Sequence, residues 1–297
     1  MPATESEATL MQTISPASPR PAHTLEARSI VLRTRGSTHG PITRLMSPGD
    51  LGELLKPFVF LDRVSFKAKG GQRGFGMHPH SGLATLTFLL EGDVVYADST
   101  GKSGTLPAGG VEWMRAGKGV WHKGGPAGEG RIQGFQLWVA LPPSEENAPA
   151  QSLYLAPSDV PQAGPVSVML GRYGDVQSLI PAPSDMTYLA VRLKAGERWL
   201  YTPPAGHTVA WLAVNTGQIH AHEAVDAGEL VIFEESAQGI EIVAEADSSF
   251  VLGSAVKHPY ELVMGAYSVH TSRAALKQGE AEIQRIGMAL QRDGLLD

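Results

Sequence analysis

Residues 74–126 read GFGMHPHSGLATLTFLLEGDVVYADSTGKSGTLPAGGVEWMRAGKGVWHKGGP. Short apolar runs at 83–90, 94–97 and 111–114 are each bounded by Gly, Pro, Asp or Ser, a pattern typical of strands. Strands that recur every ~8–12 residues with turn residues between them are typical of a β-sandwich or β-barrel. This stretch therefore predicts an antiparallel, all-β unit.

The same signal extends outward on both sides. Further strands are predicted at 29–32, 58–61, 135–139, 186–193, 208–214, 219–222, 230–233, 240–243 and 250–253. Each half also carries the order strand, glycine, strand, glycine, strand, with Gly92 and Gly109 in the first half and Gly217 and Gly228 in the second. Because glycine marks turns, the matching order predicts two copies of one barrel unit.

Proline-rich stretches at 141–144 and 156–165 separate the two halves. We therefore expect an N-terminal barrel over 28–155 and a C-terminal barrel with a terminal helix over 156–297. Residues 1–27 are rich in Ala, Ser, Thr and Pro without an apolar period, which predicts a flexible N-terminal tail.

The last segment, 272–291, has a helical composition, and Ser272 is a candidate N-cap. Gly279 and Gly287 each cost ~1 kcal/mol relative to alanine in a helix. These two glycines predict one broken helix or two short ones, docked on the barrel.

The composition excludes several classes of protein. The chain has no cysteine, which excludes disulfides, thiolate metal sites and a thiol nucleophile. Its net charge is −6 and no basic tract is present, so we expect no direct contact with nucleic acid. The apolar runs are too short to span a membrane, and the N-terminus lacks an apolar signal segment. A cytoplasmic protein is the expectation.

Three histidines are candidate metal ligands. Pro79 keeps the triplet His78-Pro79-His80 extended, so both imidazoles project to one side. His122 follows 42 residues later, far enough for an antiparallel strand to return beside the triplet. Imidazole suits Fe, Zn, Cu and Ni. The alternative is a set of surface or hydrogen-bonded core histidines.

These residues carry a resemblance to a known family. The motifs HPH at 78–80, LLEG at 89–92, DSTG at 98–101, VEWM at 111–114 and AGKGVWH at 116–122 resemble the signature of the pirin family. Pirins belong to the cupin superfamily. The resemblance continues more weakly into 258–272, which is similar to the family's closing strand before its last helix. It implies two tandem cupin-type antiparallel β-barrels with a short C-terminal helical segment.

The resemblance also implies a metal site in the first barrel. In pirins a single metal, usually described as iron, is held by the two histidines of HPH, a later histidine and a glutamate two residues beyond it. By position these ligands are His78, His80 and His122, and Gly124 stands where the glutamate is expected. We expect one divalent transition metal, Fe(II) first, with Zn, Mn, Ni, Co or Cu as alternatives. A metal-free barrel is a further alternative.

Other residues near the motif leave alternatives open. The family's H-P-H-R-G-F-E-T reads H-P-H-S-G-L-A-T, so Ser81 and Ala84 replace an arginine and a second glutamate. Glu112 is a candidate replacement ligand if Val111 and Trp113 point out of the barrel, and a surface carboxylate if they point in. Glu129 lies in a glycine-rich loop, where it either folds back to the metal or remains solvated.

The resemblance suggests three functions. Some pirins cleave flavonols such as quercetin with O₂, which implies a flat aromatic substrate and a quercetin 2,3-dioxygenase-like activity. The alternatives are a non-catalytic regulator or binder that docks on a protein partner, and a barrel that has lost its metal.

The H-x-H pair at 220–222 is expected to lie on a polar edge strand. Aromatic and apolar residues predicted to line a cavity or to form core are Phe75, Met77, Phe88, Trp113 and Trp121.

Overall fold

The computed structural model describes residues 28–71 and 74–296, so the predicted tail at 1–27 lies outside the described residues. The first part of the chain contains β1 (Ile30–Thr34), β2 (Ser37–His39), β3 (Ile42–Met46), α1 (Leu51–Leu55), β4 (Phe58–Ala68), β5 (Phe75–His80), β6 (Leu83–Glu91), β7 (Val94–Asp98), β8 (Ser103–Leu106), β9 (Val111–Arg115), β10 (Val120–Pro126), β11 (Gly130–Ala140) and β12 (Gln151–Leu155).

A 3₁₀ turn at Pro157–Asp159 leads into the second part. It contains β13 (Gln162–Ala163), β14 (Val166–Leu170), β15 (Arg172–Tyr173), β16 (Val176–Gln177), β17 (Met186–Leu193), β18 (Arg198–Tyr201), β19 (Val209–Thr216), β20 (Gln218–Ala221), β21 (Glu223–Asp226), β22 (Leu230–Phe233), β23 (Ile240–Ala244), β24 (Ser248–Ala255), β25 (Val263–Met264), β26 (Val269–His270) and α2 (Arg273–Arg292). Each predicted strand overlaps an observed one.

Each barrel consists of a larger and a smaller antiparallel sheet. In the first barrel a seven-stranded sheet in the order β12-β9-β6-β11-β4-β3-β2 faces a four-stranded sheet in the order β5-β10-β7-β8. In the second barrel the orders are β1-β22-β19-β24-β17-β14-β13 and β18-β23-β20-β21. The two strand orders correspond position by position, which confirms an all-β fold of two tandem cupin-type barrels.

One edge strand departs from this sequential division of the chain. β1 pairs with β22, with Thr34 opposite Leu230, so the start of the described chain completes the second barrel. β12 takes the corresponding edge position in the first barrel, where Leu153 lies opposite Trp113 of β9. Of these two edge strands, β1 alone crosses from the first part of the chain into the second barrel.

The main hydrophobic core lies between the two large sheets. It joins Phe58 and Leu137 of the first barrel to Tyr188 and Trp211 of the second. The rings of Phe58 and Trp211 meet edge to face, 5.5 Å between centroids. A second cluster of apolar side chains fills the interior of the C-terminal barrel. The large sheets are thus buried on both faces.

The C-terminal helix differs from the sequence prediction in one respect. α2 is continuous over Arg273–Arg292, so the predicted break is wrong, whereas the side chain of Ser272 caps the amide of Ala275 as expected. Gly279 and Gly287 face the first barrel. A Cβ on Gly287 would lie 2.7 Å from the Trp121 ring. The glycines therefore permit a close approach that compensates for their poor helix propensity. No helix in the described part of the chain is long and apolar enough to cross a bilayer.

Candidate metal centre

Strand pairing brings the three candidate histidines together. β5 and β10 are antiparallel neighbours in the small sheet, and His122 lies directly opposite His78. His80, two residues further along β5, projects to the same side. Each histidine offers one ring nitrogen, and these nitrogens all lie within 4.8 Å of one another. This spacing fits three ligands of a single metal ion.

The other ring nitrogens have partners that orient the imidazoles. Nδ1 of His78 donates to the carbonyl of Gly76 at 2.8 Å, and Nδ1 of His80 donates to the carbonyl of Tyr267 at 3.2 Å. Because a carbonyl only accepts, the proton in each ring lies on Nδ1 and the lone pair on Nε2. The buried Nε2 atoms of His80 and His122 have no hydrogen-bond partner. A metal ion would satisfy both atoms, so the residues fit such a group.

Burial keeps the centre in its neutral form. Desolvation and the neighbouring His122 lower the pKa of His78 below its ordinary value, and the same causes lower the pKa of His80 further. Neutral imidazole is the form that binds a metal. Both rings are therefore ready to act as ligands at neutral pH.

The histidines lie at the wall of a cavity inside the first barrel. The cavity has a volume of about 440 Å³. Its aromatic and polar lining includes Phe60, Phe66, Tyr96, Phe135, Trp138 and Tyr267, with Arg44, Asp62, Glu112 and Gln136. The ring of Trp138 stacks on Phe60 at 4.0 Å and meets the edge of His80 at 4.9 Å. The first barrel is thus partly hollow, whereas apolar side chains fill the second.

The residues predicted either to line this cavity or to form core have different surroundings. Phe75 does line it, but Met77 does not. Phe88 and Trp113 belong to the core between the two large sheets. Trp121 packs on α2, where its Nε1 donates to the carbonyl of Ile283. Phe60 and Trp138 were not identified as cavity residues from the sequence. The large sheet is apolar on both faces, so its strands lack the alternation of apolar and polar residues that would show which side chains point into the barrel.

The structure resolves the two alternatives for the candidate carboxylates. Val111 and Trp113 point to the core between the barrels, so Glu112 points into the cavity, where it is 8% exposed. Its Oε1 lies 3.6 Å from Nδ1 of His122. Glu129 is exposed and lies over Gly70. Of the two carboxylates, Glu112 is therefore the one beside the histidines.

The three positions at which the chain departs from the pirin pattern have different surroundings. Gly124 lines the cavity, and a Cβ there would lie 3.6 Å from Val94, an ordinary contact. Ala84 is buried in the core between the barrels. Ser81 is buried on the outer side of β5 and bonds to Ser268 at 2.8 Å. A side chain at position 124 would therefore lie at the cavity, whereas one at position 84 lies in the core between the barrels.

The segment before α2 braces the outer side of the centre. Oγ of Ser81 lies 3.1 Å from Nε2 of His270, and Nδ1 of His270 lies 3.2 Å from Oε2 of Glu146. All three side chains are buried, so a substrate does not reach them. Their hydrogen bonds hold the segment before α2 in place. The sequence offered one signal for it, the weak match over 258–272.

The histidine pair in the second barrel is placed differently. His220 and His222 are exposed, and Glu223 pairs with Arg33 across β1 and β21. The exposure fits the predicted polar face, but the predicted edge position is wrong, because β20 lies between β23 and β21 and His222 lies in the turn that follows β20. The candidate centre therefore lies in the first barrel.

Comparisons with known proteins agree with this architecture. The Pirin family model matches residues 41–139. A Pseudomonas aeruginosa protein named "Putative quercetin 2,3-dioxygenase" is 31% identical over 221 residues, which cover 70% of this chain and 77% of that protein. A pirin-like protein of Caulobacter vibrioides is 35% identical over 197 residues, 63% of this chain and 70% of its own length.

Solved structures share the fold. Quercetin 2,3-dioxygenase from Acinetobacter baumannii superimposes with a TM-score of 0.77 at 24% identity, covering 88% of this chain and 96% of that one. The bacterial pirin YhhW of Escherichia coli, solved in complex with nickel(II), gives a TM-score of 0.60 at 21% identity over 78% of this chain and 96% of that one. Taken with the fold and the histidine cluster, these matches show that the chain belongs to the pirin family.

Proposed function

We propose that the chain binds one divalent transition metal through His78, His80 and His122 and cleaves a flavonol-type substrate with O₂. The observation that carries the proposal is the pair of buried, unpartnered Nε2 atoms at the wall of the cavity. The name of the Pseudomonas aeruginosa relative and the nickel(II) complex of a pirin of the same fold support it.

Fe(II) is our first choice of metal. Three neutral imidazoles suit Fe, Ni, Zn and Cu, and three protein ligands leave positions open on the ion. When bound, such a metal acts as a Lewis acid that favours the ionised form of a substrate hydroxyl. Gly124 adds no fourth protein donor, so we expect weaker metal binding than a centre with a carboxylate ligand would have.

The cavity supplies binding and orientation. Trp138 stacks on the ring of Phe60, and the Arg44 guanidinium lies 4.1 Å from the centroid of the same ring. Phe60 is therefore covered, and Trp138 carries the aromatic surface toward His80. A planar aromatic substrate that packs against the rings lining the cavity would lie beside the histidines. Burial of His80 and His122 excludes bulk water from the same place. These features favour a flat aromatic molecule over a flexible polar one.

Metal analysis tests the centre first. We expect about one equivalent of a transition metal in freshly purified protein and a loss of that metal in a His78→Ala, His80→Ala double variant. A His220→Ala, His222→Ala double variant is the matched control, because it removes a second H-x-H pair whose side chains are both exposed. Equal trace metal in all three proteins would contradict the centre.

An oxygenase assay then tests the activity. Quercetin is supplied at a pH that ionises its hydroxyl, with Fe(II), Mn(II), Co(II) or Ni(II) added to the metal-free protein. We expect O₂-dependent loss of the flavonol absorbance with at least one metal and none in the His78→Ala, His80→Ala variant. Absence of turnover with every metal, in protein that binds metal, would favour the non-catalytic alternative.

A further inference from the structure

We propose that Glu112 is a positioning residue of this centre, which holds His122 from the side of its Nδ1 atom and supplies the negative charge that Gly124 does not. This inference rests on the proposed function, because it assumes that His122 binds a metal through Nε2. Glu112 is not one of the three clustered histidine ligands, and its proposed role is to orient one of them.

Glu112 is held in place because it lies on an inner strand of the large sheet. β9 lies between β6 and β12, and Glu112 is opposite Thr87 on one side and Tyr154 on the other. Its neighbours Val111 and Trp113 are anchored in the core, so the backbone has no freedom to turn the carboxylate away. The Oε1–Nδ1 distance of 3.6 Å to His122 is longer than a hydrogen bond, and it is the separation of an electrostatic contact.

Charge distinguishes Glu112 from the other carboxylate of the cavity. Asp62 is neutralised by Arg44, whose Nε and terminal nitrogen donate at 2.8 and 3.0 Å. Glu112 instead faces an imidazole. A carboxylate removed from water is costly unless a cation lies close to it. A divalent ion on the opposite nitrogen of His122 would provide that cation.

The influence of Glu112 reaches across the cavity. Burial raises the pKa of Tyr96 and of Tyr154, and the negative charge of Glu112 raises both further. The charge of Glu112 therefore acts on both tyrosines.

The same geometry assigns the tautomer of His122. A carboxylate at Nδ1 favours the proton on that nitrogen, which leaves the Nε2 lone pair for a metal. His78 and His80 reach the same tautomer by donating to backbone carbonyls. All three imidazoles would then offer an Nε2 lone pair, two oriented by backbone carbonyls and one by Glu112.

Metal affinity measures this role without any assay of activity. Metal-free, full-length protein is titrated with Co(II) and with Zn(II) against a competing chromophoric chelator, for the wild type, Glu112→Gln and Glu129→Gln. Loss of such an outer partner typically weakens metal binding ~10–100-fold. We expect a weakening of this size in Glu112→Gln and an unchanged affinity in Glu129→Gln, which removes an exposed carboxylate from the same barrel.

The outcomes separate this inference from the proposed function. If the wild type binds metal and Glu112→Gln binds it equally well, the inference is wrong and the centre remains. If the wild type binds no metal, both are wrong. Thermal unfolding of the metal-free variants establishes that a loss of affinity does not reflect a loss of fold.

A spectroscopic measurement keeps the test decisive if Glu112→Gln folds poorly. In ¹⁵N-histidine-labelled, zinc-loaded wild type, we expect an Nδ1–H signal of His122 shifted downfield by the carboxylate. In Glu112→Asp, which keeps the charge but shortens the side chain, that signal should move upfield and metal affinity should fall part of the way. A His122 ring protonated on Nε2, or a signal that does not respond, would overturn the inference.

Discussion

The indole Nε1 of Trp121 donates a 2.7 Å hydrogen bond to the carbonyl oxygen of Ile283, halfway along the C-terminal helix. Trp121 precedes His122 on β10, so the two side chains project to opposite faces of the strand. One face therefore carries a candidate ligand and the other is bound to α2. Ser81 follows His80 directly after the end of β5 and contacts His270, which lies just before the same helix. The C-terminal segment thus supports both strands that carry the histidines.

Removal of the indole donor should loosen this support. In Trp121→Phe the hydrogen bond is lost and some packing volume disappears, so we expect the free energy of unfolding to fall by about 1–2 kcal/mol. Thermal unfolding of the metal-free protein should then show a midpoint lower by a few degrees. We also expect weaker metal binding, because β10 is less firmly held.

A second tryptophan provides the control. Trp199 Nε1 donates to the hydroxyl of Tyr173 at 2.8 Å in the second barrel. Trp199→Phe should lower the midpoint to a similar extent while metal affinity stays unchanged. Equal metal affinities in the Trp121→Phe and Trp199→Phe proteins would show that α2 stabilises the fold without affecting the centre.

Substitution of a helix glycine should destabilise the protein despite better helix propensity. Alanine in place of Gly287 gains about 1 kcal/mol in propensity, but its Cβ would lie 2.7 Å from the Trp121 ring. The rigid indole must shift, so we expect a net decrease in the unfolding midpoint. Gln284→Ala changes an exposed position on the same helix and should be neutral or slightly stabilising. A rise in the midpoint for Gly287→Ala would contradict the close packing of helix and barrel.

The metal-free protein should lose stability in mild acid. Burial, then the positive charge of Lys56, lowers the pKa of His258 from 6.5 to about 4. Between these values the unfolded chain binds more protons than the folded one, so the free energy of unfolding falls as pH decreases through this window. Urea unfolding between pH 7.5 and 4.5 should show this slope and a shallower one in His258→Gln. The difference in the free energy of unfolding between the two proteins at pH 7.5 measures the effect of the substitution itself. Parallel slopes in the two proteins would contradict the role of His258.

The sequence predicted the strands, the repeat and the histidines because each leaves a local signal. Pro79 fixes two histidines on one side, and glycines mark the turns. The direction of Glu112 had no such signal. Both faces of its sheet are buried, so Val111 and Trp113 do not reveal which face is the interior. The choice depended on where the second barrel packs, which no local pattern contains.

The continuity of α2 could not be predicted from the sequence for a related reason. Gly279 and Gly287 lower helix propensity wherever they occur, and their benefit appears only when Ser81 and Trp121 approach from another part of the chain. The bond from His80 to the carbonyl of Tyr267 likewise depends on backbone brought close by the fold. Tertiary contacts of this kind override local preference, and a single sequence does not specify them.

A carboxylate placed at position 124 should restore the metal affinity that the Glu112→Gln substitution removes. Gly124 lines the cavity, and a Cβ there makes only ordinary contacts with Val94 and Val95, so a longer side chain can start without strain. We expect Gly124→Glu to bind Co(II) and Zn(II) more tightly than the wild type, because a negatively charged donor joins three neutral ones. In the double variant Glu112→Gln, Gly124→Glu, affinity should return to the wild-type level or exceed it.

The neighbouring glycine provides the contrast for this rescue. A Cβ on Gly125 would lie 2.7 Å from the backbone of Gly74, so Gly125→Glu should destabilise the barrel and rescue nothing. Gly124→Gln, which has the same size without the charge, should give a smaller gain than Gly124→Glu. If Gly124→Gln rescues as well as Gly124→Glu, then filling of the cavity rather than charge limits metal binding, and the electrostatic account of Glu112 is wrong.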